Sequence, residues 1–302
     1  MNTITWTSSR NNYKKMTFTR NDETKQHHFQ VDLRDTELTG LTNIYDIFNL
    51  HFEERQTKFV EVLFSGGMDS EITLRGCLRN NIPVRAITLR LFSGDILINM
   101  NDLYWAEKFC RENNVTQKLV DLDIKTFYDN GKFIDYIRPY LITSPHVAHH
   151  FWLFEQCTGF PVIGGDYSWP WGNPARLSPH RHSYTMYDMF LADRGIHGIG
   201  NMINHSMDAN LLFMKAHREV YSDELHNPSD IYKMAALKKA VFDKVGFTEM
   251  QPRFRAYGFE NTPVRTYRTD LLKEFGHTSH TITWGDQIGN ALNTDIRSNT
   301  NF

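Results

Sequence analysis

The chain has 302 residues, 40% hydrophobic and 23% charged, the balance of a soluble globular protein with a sizeable core. A formal net charge of −2 gives no chain-wide pull toward nucleic acid or anionic lipid, so any grip on a polyanion has to be local. The three cysteines, Cys77, Cys110 and Cys157, lie far apart with no CxxC, which argues against a disulfide scaffold, a cysteine-rich zinc site and a vicinal redox pair, and fits a reducing, cytoplasmic setting.

The amino terminus, MNTITWTSSRNNYKKMTF, has no apolar core segment and does not read as a secretory signal. No apolar run reaches the length of a membrane helix, so no membrane partner is expected. Residues 1–57 read as a small annex. Alternation around Ile4, Met16 and Phe29 predicts two or three short strands, and Ile44, Ile47, Phe48 and Phe52 recur at helical spacing.

From Lys58 the pattern changes. Residues 59–64 (FVEVLF) predict a strand, which meets Ser65-Gly66-Gly67 and then a helix from about Asp69 to Leu78. Asn80, Asn81 and Pro83 close that helix, and residues 84–91 (VRAITLRL) predict a second strand. Such a βαβ unit implies parallel strands joined by a right-handed crossover. The alternation goes on: a helix at Leu103, Ala106, Phe109 and Cys110, a strand over 118–122, helical stretches over 127–141 and 146–157, and a strand over 160–163 that runs into Gly164-Gly165-Asp166. The fold class expected for residues 58–170 is therefore α/β, a doubly wound parallel sheet. Residues 171–302 read as mainly helical, with helices over 202–220 and 231–245; Pro228 with Asn227 or Ser229 starts the second, and Gly246 stops it.

Chemistry concentrates in Phe64-Ser65-Gly66-Gly67-Met68-Asp69-Ser70. Two glycines let the chain turn sharply out of the strand and, lacking Cβ, let the backbone approach a phosphate. Successive amides form an anion nest, and the next helix aims its positive end at the same point. Ser65 and Ser70 add hydroxyls, while Asp69 suits Mg²⁺, which neutralises phosphate oxygens. The lysine of GxxxxGK[ST] is missing, and the spacing is not GxGxxG. A lysine-free loop with a carboxylate for metal suits release of pyrophosphate better than transfer of a γ-phosphoryl group. The bland reading is a glycine turn that merely opens a helix.

FSGGMDS after a strand resembles the PP-loop of the ATP pyrophosphatase superfamily, which includes asparagine, NAD and GMP synthetases and tRNA-modifying thiolases. The resemblance covers residues 58–170. It implies an adenine nucleotide α-hydrolase-like (HUP-type) sheet, ATP and Mg²⁺ as cofactors, and Ser65, Gly66, Gly67, Asp69 and Ser70 on the pyrophosphate. It also implies that the end of the second strand, near Leu89, sits beside adenine.

Gly164-Gly165-Asp166 repeats the strand–Gly–Gly–Asp design. In a parallel sheet both turns fall on one edge, and they are candidates for the two neighbouring positions where strand order reverses. The segment looks like the second ATP-contacting turn of asparagine synthetases, with Gly164 and Gly165 beside the nucleotide and Asp166 sharing metal with Asp69. Tyr167-Ser168-Trp169-Pro170 replaces the acidic continuation found there. An ordinary β-turn explains the segment equally well.

Weaker signals remain. Arg253 and Arg255, and Lys233, Lys238 and Lys239 before them, are late cations that could neutralise departing pyrophosphate or simply be solvated. His146, His149 and His150 share one helical face without a visible further ligand for zinc. The resemblance is closest to the synthetase part of asparagine synthetase, which implies an AMP-forming ligase. A carboxylate, amide or carbonyl oxygen of a small-molecule or modified-nucleotide acceptor would be adenylylated and then attacked by ammonia or an amine. Asparagine synthetases carry a glutaminase domain whose nucleophilic cysteine follows the initiator methionine; Asn2 stands there, so glutamine hydrolysis is not expected. The alternatives are a sulfur-inserting or sulfonucleotide-reducing relative using Cys157, and a non-catalytic nucleotide-binding or assembly protein.

Overall fold

Two runs of apolar sequence, one near each glycine pair, become the centre of the molecule. The computed structural model describes residues 1–7, 14–33, 38–55, 58–165, 182–221, 230–253 and 264–284. Three strands, β1 (Asn2–Thr7), β2 (Lys14–Arg20) and β3 (Gln26–Leu33), form an antiparallel meander that buries Met16, Phe18 and Phe29 on one face. Helix α1 (Ile44–Phe52) follows, its first turn capped by the Asn43 side chain, which accepts from the Tyr45 amide at 2.9 Å.

The central layer comprises β4 (Val60–Leu63), α2 (Met68–Arg79), β5 (Val84–Ser93), the short return strand β6 (Ile96–Leu97), α3 (Met100–Glu112) and β7 (Thr116–Asp123). Helices α4 (Ile124–Asp129), α5 (Lys132–Ile137) and α6 (Val147–Glu155) then lead to β8 (Phe160–Ile163). The stretch expected as one helix over 127–141 is divided, because Gly131 takes φ +73° between α4 and α5.

Strands β8, β4, β5 and β7 lie side by side and parallel, and β6 folds back antiparallel on β5. Every residue of β4 and β8 is buried, as expected of parallel strands covered on both faces. The chain steps from β4 to β5 to β7 in one direction, then returns to the far side of β4 for β8. Strand order therefore reverses between β4 and β8, and the crevice at their carboxyl ends is the ligand position of such a sheet. At the opposite, amino edge, the buried carboxylate of Glu61 accepts from Arg85 Nε at 2.9 Å and from the amides of Thr158 and Gly159, locking the start of β8 against β4 and β5.

Helices α7 (His182–Asp193), α8 (Met207–Val220), α9 (Ile231–Lys244) and α10 (Val264–Phe275) follow, and then β9 (His277–Trp284). The cap of α9 is Asp230, which accepts from the amides of Tyr232 and Lys233, rather than Asn227 or Ser229. The last strand pairs in parallel with β3, Phe29 opposite His280, so the far end of the chain completes the first sheet. Among the described residues, no helix is long and apolar enough to cross a membrane.

Candidate functional site

At the end of β4 the Phe64 carbonyl accepts from Thr88 Oγ1 at 2.8 Å, and the chain turns. Gly66 has φ +80°, and a Cβ there would overlap the Asp102 carbonyl oxygen and lie 2.9 Å from the Ala106 nitrogen. Positive φ and contact with α3 both demand glycine. Gly67 is the N-cap of α2 in extended conformation, and no side chain closes that end. The Glu71 amide is the first to turn inward, donating to the Gly67 carbonyl at 3.1 Å. The amides of Met68, Asp69 and Ser70 therefore face out of the helix start, where the dipole is positive. Ser65 Oγ accepts from the Gly67 amide at 3.3 Å, Ser70 Oγ donates to the Gly67 carbonyl at 3.1 Å, and the two hydroxyl oxygens are 3.5 Å apart.

The second turn touches the first. A Cβ on Gly164 would overlap the Asp69 carbonyl and lie 2.9 Å from Ser70 Cα. Gly165, at φ +72°, packs directly on the Asn201 carboxamide. The two glycine pairs thus meet at the reversal point. Asp166 and Arg255 lie outside the described residues.

Two cations reach the Ser65 turn from distant sequence. Lys238 on α9 donates to Asp69 Oδ2, and Arg253 donates to the Gly66 carbonyl and to Glu71 Oε2. The Arg253 guanidinium also stacks on Trp105, 4.5 Å from the ring centroid. Burial pulls the Arg253 pKa down and the Glu71 carboxylate pulls it up, the first effect being larger.

Leu89 is buried, and β5 runs on past the end of β4. The Leu89 carbonyl accepts from Asn99 Nδ2 at 2.8 Å, and the Leu91 amide donates to Asn99 Oδ1 at 2.9 Å. The carboxamide of Asn99, the N-cap residue of α3, thus binds the strand end beside the crevice. Next to it, burial pushes the Asp102 carboxyl up to about 7.

Lys238, Trp105, Asn99 and Asn201 are residues that sequence reasoning either left among several candidates or passed over. One signal was present for the last: 201–210 holds Asn201, Asn204, His205, Ser206, Asp208 and Asn210, all buried, an unusual density of polar groups in a core. His51 Nε2 and Ser206 Oγ lie 2.7 Å apart there, joining α1 to the start of α8.

The cysteines sit elsewhere. Cys157 precedes β8, and Cys77 and Cys110 lie in the last turns of α2 and α3, so all three are at the amino edge of the sheet, about 13 Å or more from the turn. Burial pushes the Cys110 and Cys157 thiols up to about 12 and that of Cys77 higher still. Such thiols are poor nucleophiles. His149 and His150 are held neutral by burial, His150 at about 3, with its Nδ1 2.5 Å from the Tyr187 hydroxyl.

Among the described residues, no group of three or more His, Cys, Asp or Glu is placed to hold a metal ion. One carboxylate, Asp69, with two hydroxyls nearby suits a hard cation that arrives on phosphate oxygens and keeps most of its water. A cavity of about 210 Å³ lies away from the turn between Arg20, Lys25, His27 and Arg138. Its two arginines are already paired, with Asp22 and Glu274.

No protein-family model matches the sequence, and no curated protein matches it significantly. Solved structures give faint likenesses. A predicted subunit of tRNA methyltransferase from Methanocaldococcus jannaschii is 19% identical with TM-score 0.33, over 63% of this chain and 88% of that one. The U34-tRNA thiolase NcsA from Methanococcus maripaludis, with its 4Fe–4S cluster, is 14% identical with TM-score 0.34, over 84% and 76%. An NH3-dependent NAD synthetase from Campylobacter jejuni is 13% identical with TM-score 0.31, over 70% and 96%. Overlaps that small carry no weight for chemistry, which has to come from the site's own residues.

Proposed function

We propose that this chain is an ATP-dependent enzyme of the ATP pyrophosphatase (PP-loop) type, which binds the nucleotide's diphosphate on the Ser65–Ser70 turn and cleaves between the α- and β-phosphates. The observation that carries the reading is the meeting of two glycine turns at the strand-order reversal. There the start of α2 has no side-chain cap, and Lys238 arrives from a separate helix.

The chemistry follows from these parts. The amides of Met68, Asp69 and Ser70 and the hydroxyls of Ser65 and Ser70 hold phosphate oxygens without the lysine of a γ-phosphate loop. Lys238 supplies a cation from α9, so charge that builds on the leaving diphosphate is met by a group already in position. Asp69 would hold Mg²⁺, which supplies further neutralisation of phosphate oxygens. The acceptor approaches the α-phosphate from the side of Gly164 and Gly165, where Asn201 lines the second turn. In the finer, asparagine synthetase-like reading, a carboxylate, amide or carbonyl oxygen of a small-molecule or modified-nucleotide acceptor is adenylylated, and ammonia or an amine displaces AMP.

A sulfur-transfer course through Cys157 is disfavoured by that thiol's place at the far edge of the sheet. Incubation with ATP, Mg²⁺ and a panel of acceptors tests the proposal. AMP and pyrophosphate are the expected products, with turnover lost in Asp69→Asn. ADP as the sole nucleotide product contradicts it, equal turnover in both proteins would remove Asp69 from the chemistry, and no turnover in either would make the chain a binding module.

A further inference from the structure

The Gly66–Gly67 peptide has an occupied carbonyl. Arg253 Nη1 donates to the Gly66 oxygen, while Nη2 donates to Glu71 Oε2 inside α2. No peptide bond among the described residues is cis, so this carbonyl and the Gly67 N–H point in opposite directions. A guanidinium on the carbonyl side therefore holds the Gly67 amide, and the open helix start behind it, toward the Ser65 side. The Arg253 side chain is 9% exposed and Glu71 is fully buried. The fork is itself held by stacking on Trp105 and, through Glu71, by Arg75, whose Nε donates to Glu71 Oε1 at 2.7 Å. Arg75 also pairs with Glu249 at 2.7 Å, so residues 249–253 are strapped along α2.

We propose that Arg253 is a positioning residue for the anion-binding turn, acting through the Gly66 carbonyl rather than as a ligand of the phosphates. The inference rests on the reading that the turn binds a diphosphate. Its geometric content is that two donors in a fixed fork bridge a carbonyl and a carboxylate, which an ammonium on a flexible stem does not reproduce. Lysine at 253 keeps the charge but loses the bridge. A phosphate-neutralising residue and a positioning residue thus differ in how they respond to that one change.

Calorimetric titration with pyrophosphate, on the full chain, separates them. Arg253→Lys is expected to weaken binding about tenfold or more, to the same extent as Arg253→Gln. The Gly67 amide resonance is expected to move in both variants before any ligand is added. Because Arg253→Gln takes from the buried Glu71 one of the two arginines that pair with it, Arg253→Met combined with Glu71→Gln serves as a second variant; it removes both charges and is expected to lose the same affinity while melting near wild type. Arg253→Lys binding as well as wild type, with only Arg253→Gln impaired, would assign direct charge neutralisation and overturn the proposal. Equal affinity in every variant overturns it too. Failure of the wild type to bind pyrophosphate would instead remove the functional reading on which it rests.

Discussion

Lys238, midway along α9, donates its ammonium to the Asp69 carboxylate in the first turn of α2, across 169 residues of sequence. The loop lacks a lysine of its own, and this pair brings one to it from another helix. The two side chains are 22% and 30% exposed, so the pair contributes about 1 kcal/mol or less to stability. Lys238→Met is accordingly expected to shift the melting temperature by only a few degrees. The same change should lower kcat/KM for ATP turnover by about a hundredfold, because it removes a preorganised cation. Melting curves and steady-state kinetics on one preparation check both halves.

Gly66→Ala tests the turn itself. A methyl at φ +80° costs about 1–2 kcal/mol and also meets the Asp102 carbonyl, so the backbone must shift. ATP affinity is expected to fall at least about tenfold. Gly94→Ala is the control: φ there is +62°, but nothing lies within 4 Å of the added carbon, so the strain comes without displacement and binding should hold. Calorimetry on both variants distinguishes a shaped turn from general backbone strain.

Asp102 gives a pH signature. Burial raises its pKa from 3.8 to about 7, so between those values the folded chain binds a proton that the unfolded chain releases. This group's stabilisation is complete below about pH 4 and is lost as pH rises through about 7. Melting temperature measured across that range should carry a falling component in the wild type that is absent from Asp102→Asn. Identical pH profiles would contradict the assignment.

Cys157→Ser should leave ATP turnover within about twofold of wild type, since the thiol is at the amino edge and held protonated to about pH 12. Thiol titration of the native protein should be slow at all three cysteines. Loss of turnover in Cys157→Ser would return sulfur chemistry to consideration.

The central sheet was legible in the sequence because β4 and β8 are short and rich in apolar residues, and because strand patterns alternate with helical ones along the chain. The runs 60–63 and 160–163 need no partner to be recognised, and glycine pairs mark the ends of both. Parallel order put both glycine turns on one edge, but the contact of Gly164 with Asp69 also needed β8 to pair beside β4. The choice of Lys238 among the candidates Lys233, Lys238 and Lys239 was not legible, because it depends on which face of α9 meets Asp69. Asn99 was passed over for a similar reason: its value lies in bridging Leu89 and Leu91, a contact that exists only once β6 has folded back. Pairing of β9 with β3 joins segments about 250 residues apart, and alternation in either strand carries no address for the other. Arg253 was legible as a late cation, but its carbonyl partner was not, since backbone acceptors leave no trace in composition.

The most direct test of the account follows loop amides by NMR during a pyrophosphate titration. A diphosphate site on the Ser65–Ser70 turn gives saturable shifts at Gly67, Met68, Asp69 and Ser70, with smaller changes at Gly164 and Gly165. Shifts confined to the cavity between Arg20, Lys25 and His27, with the turn unmoved, would contradict it.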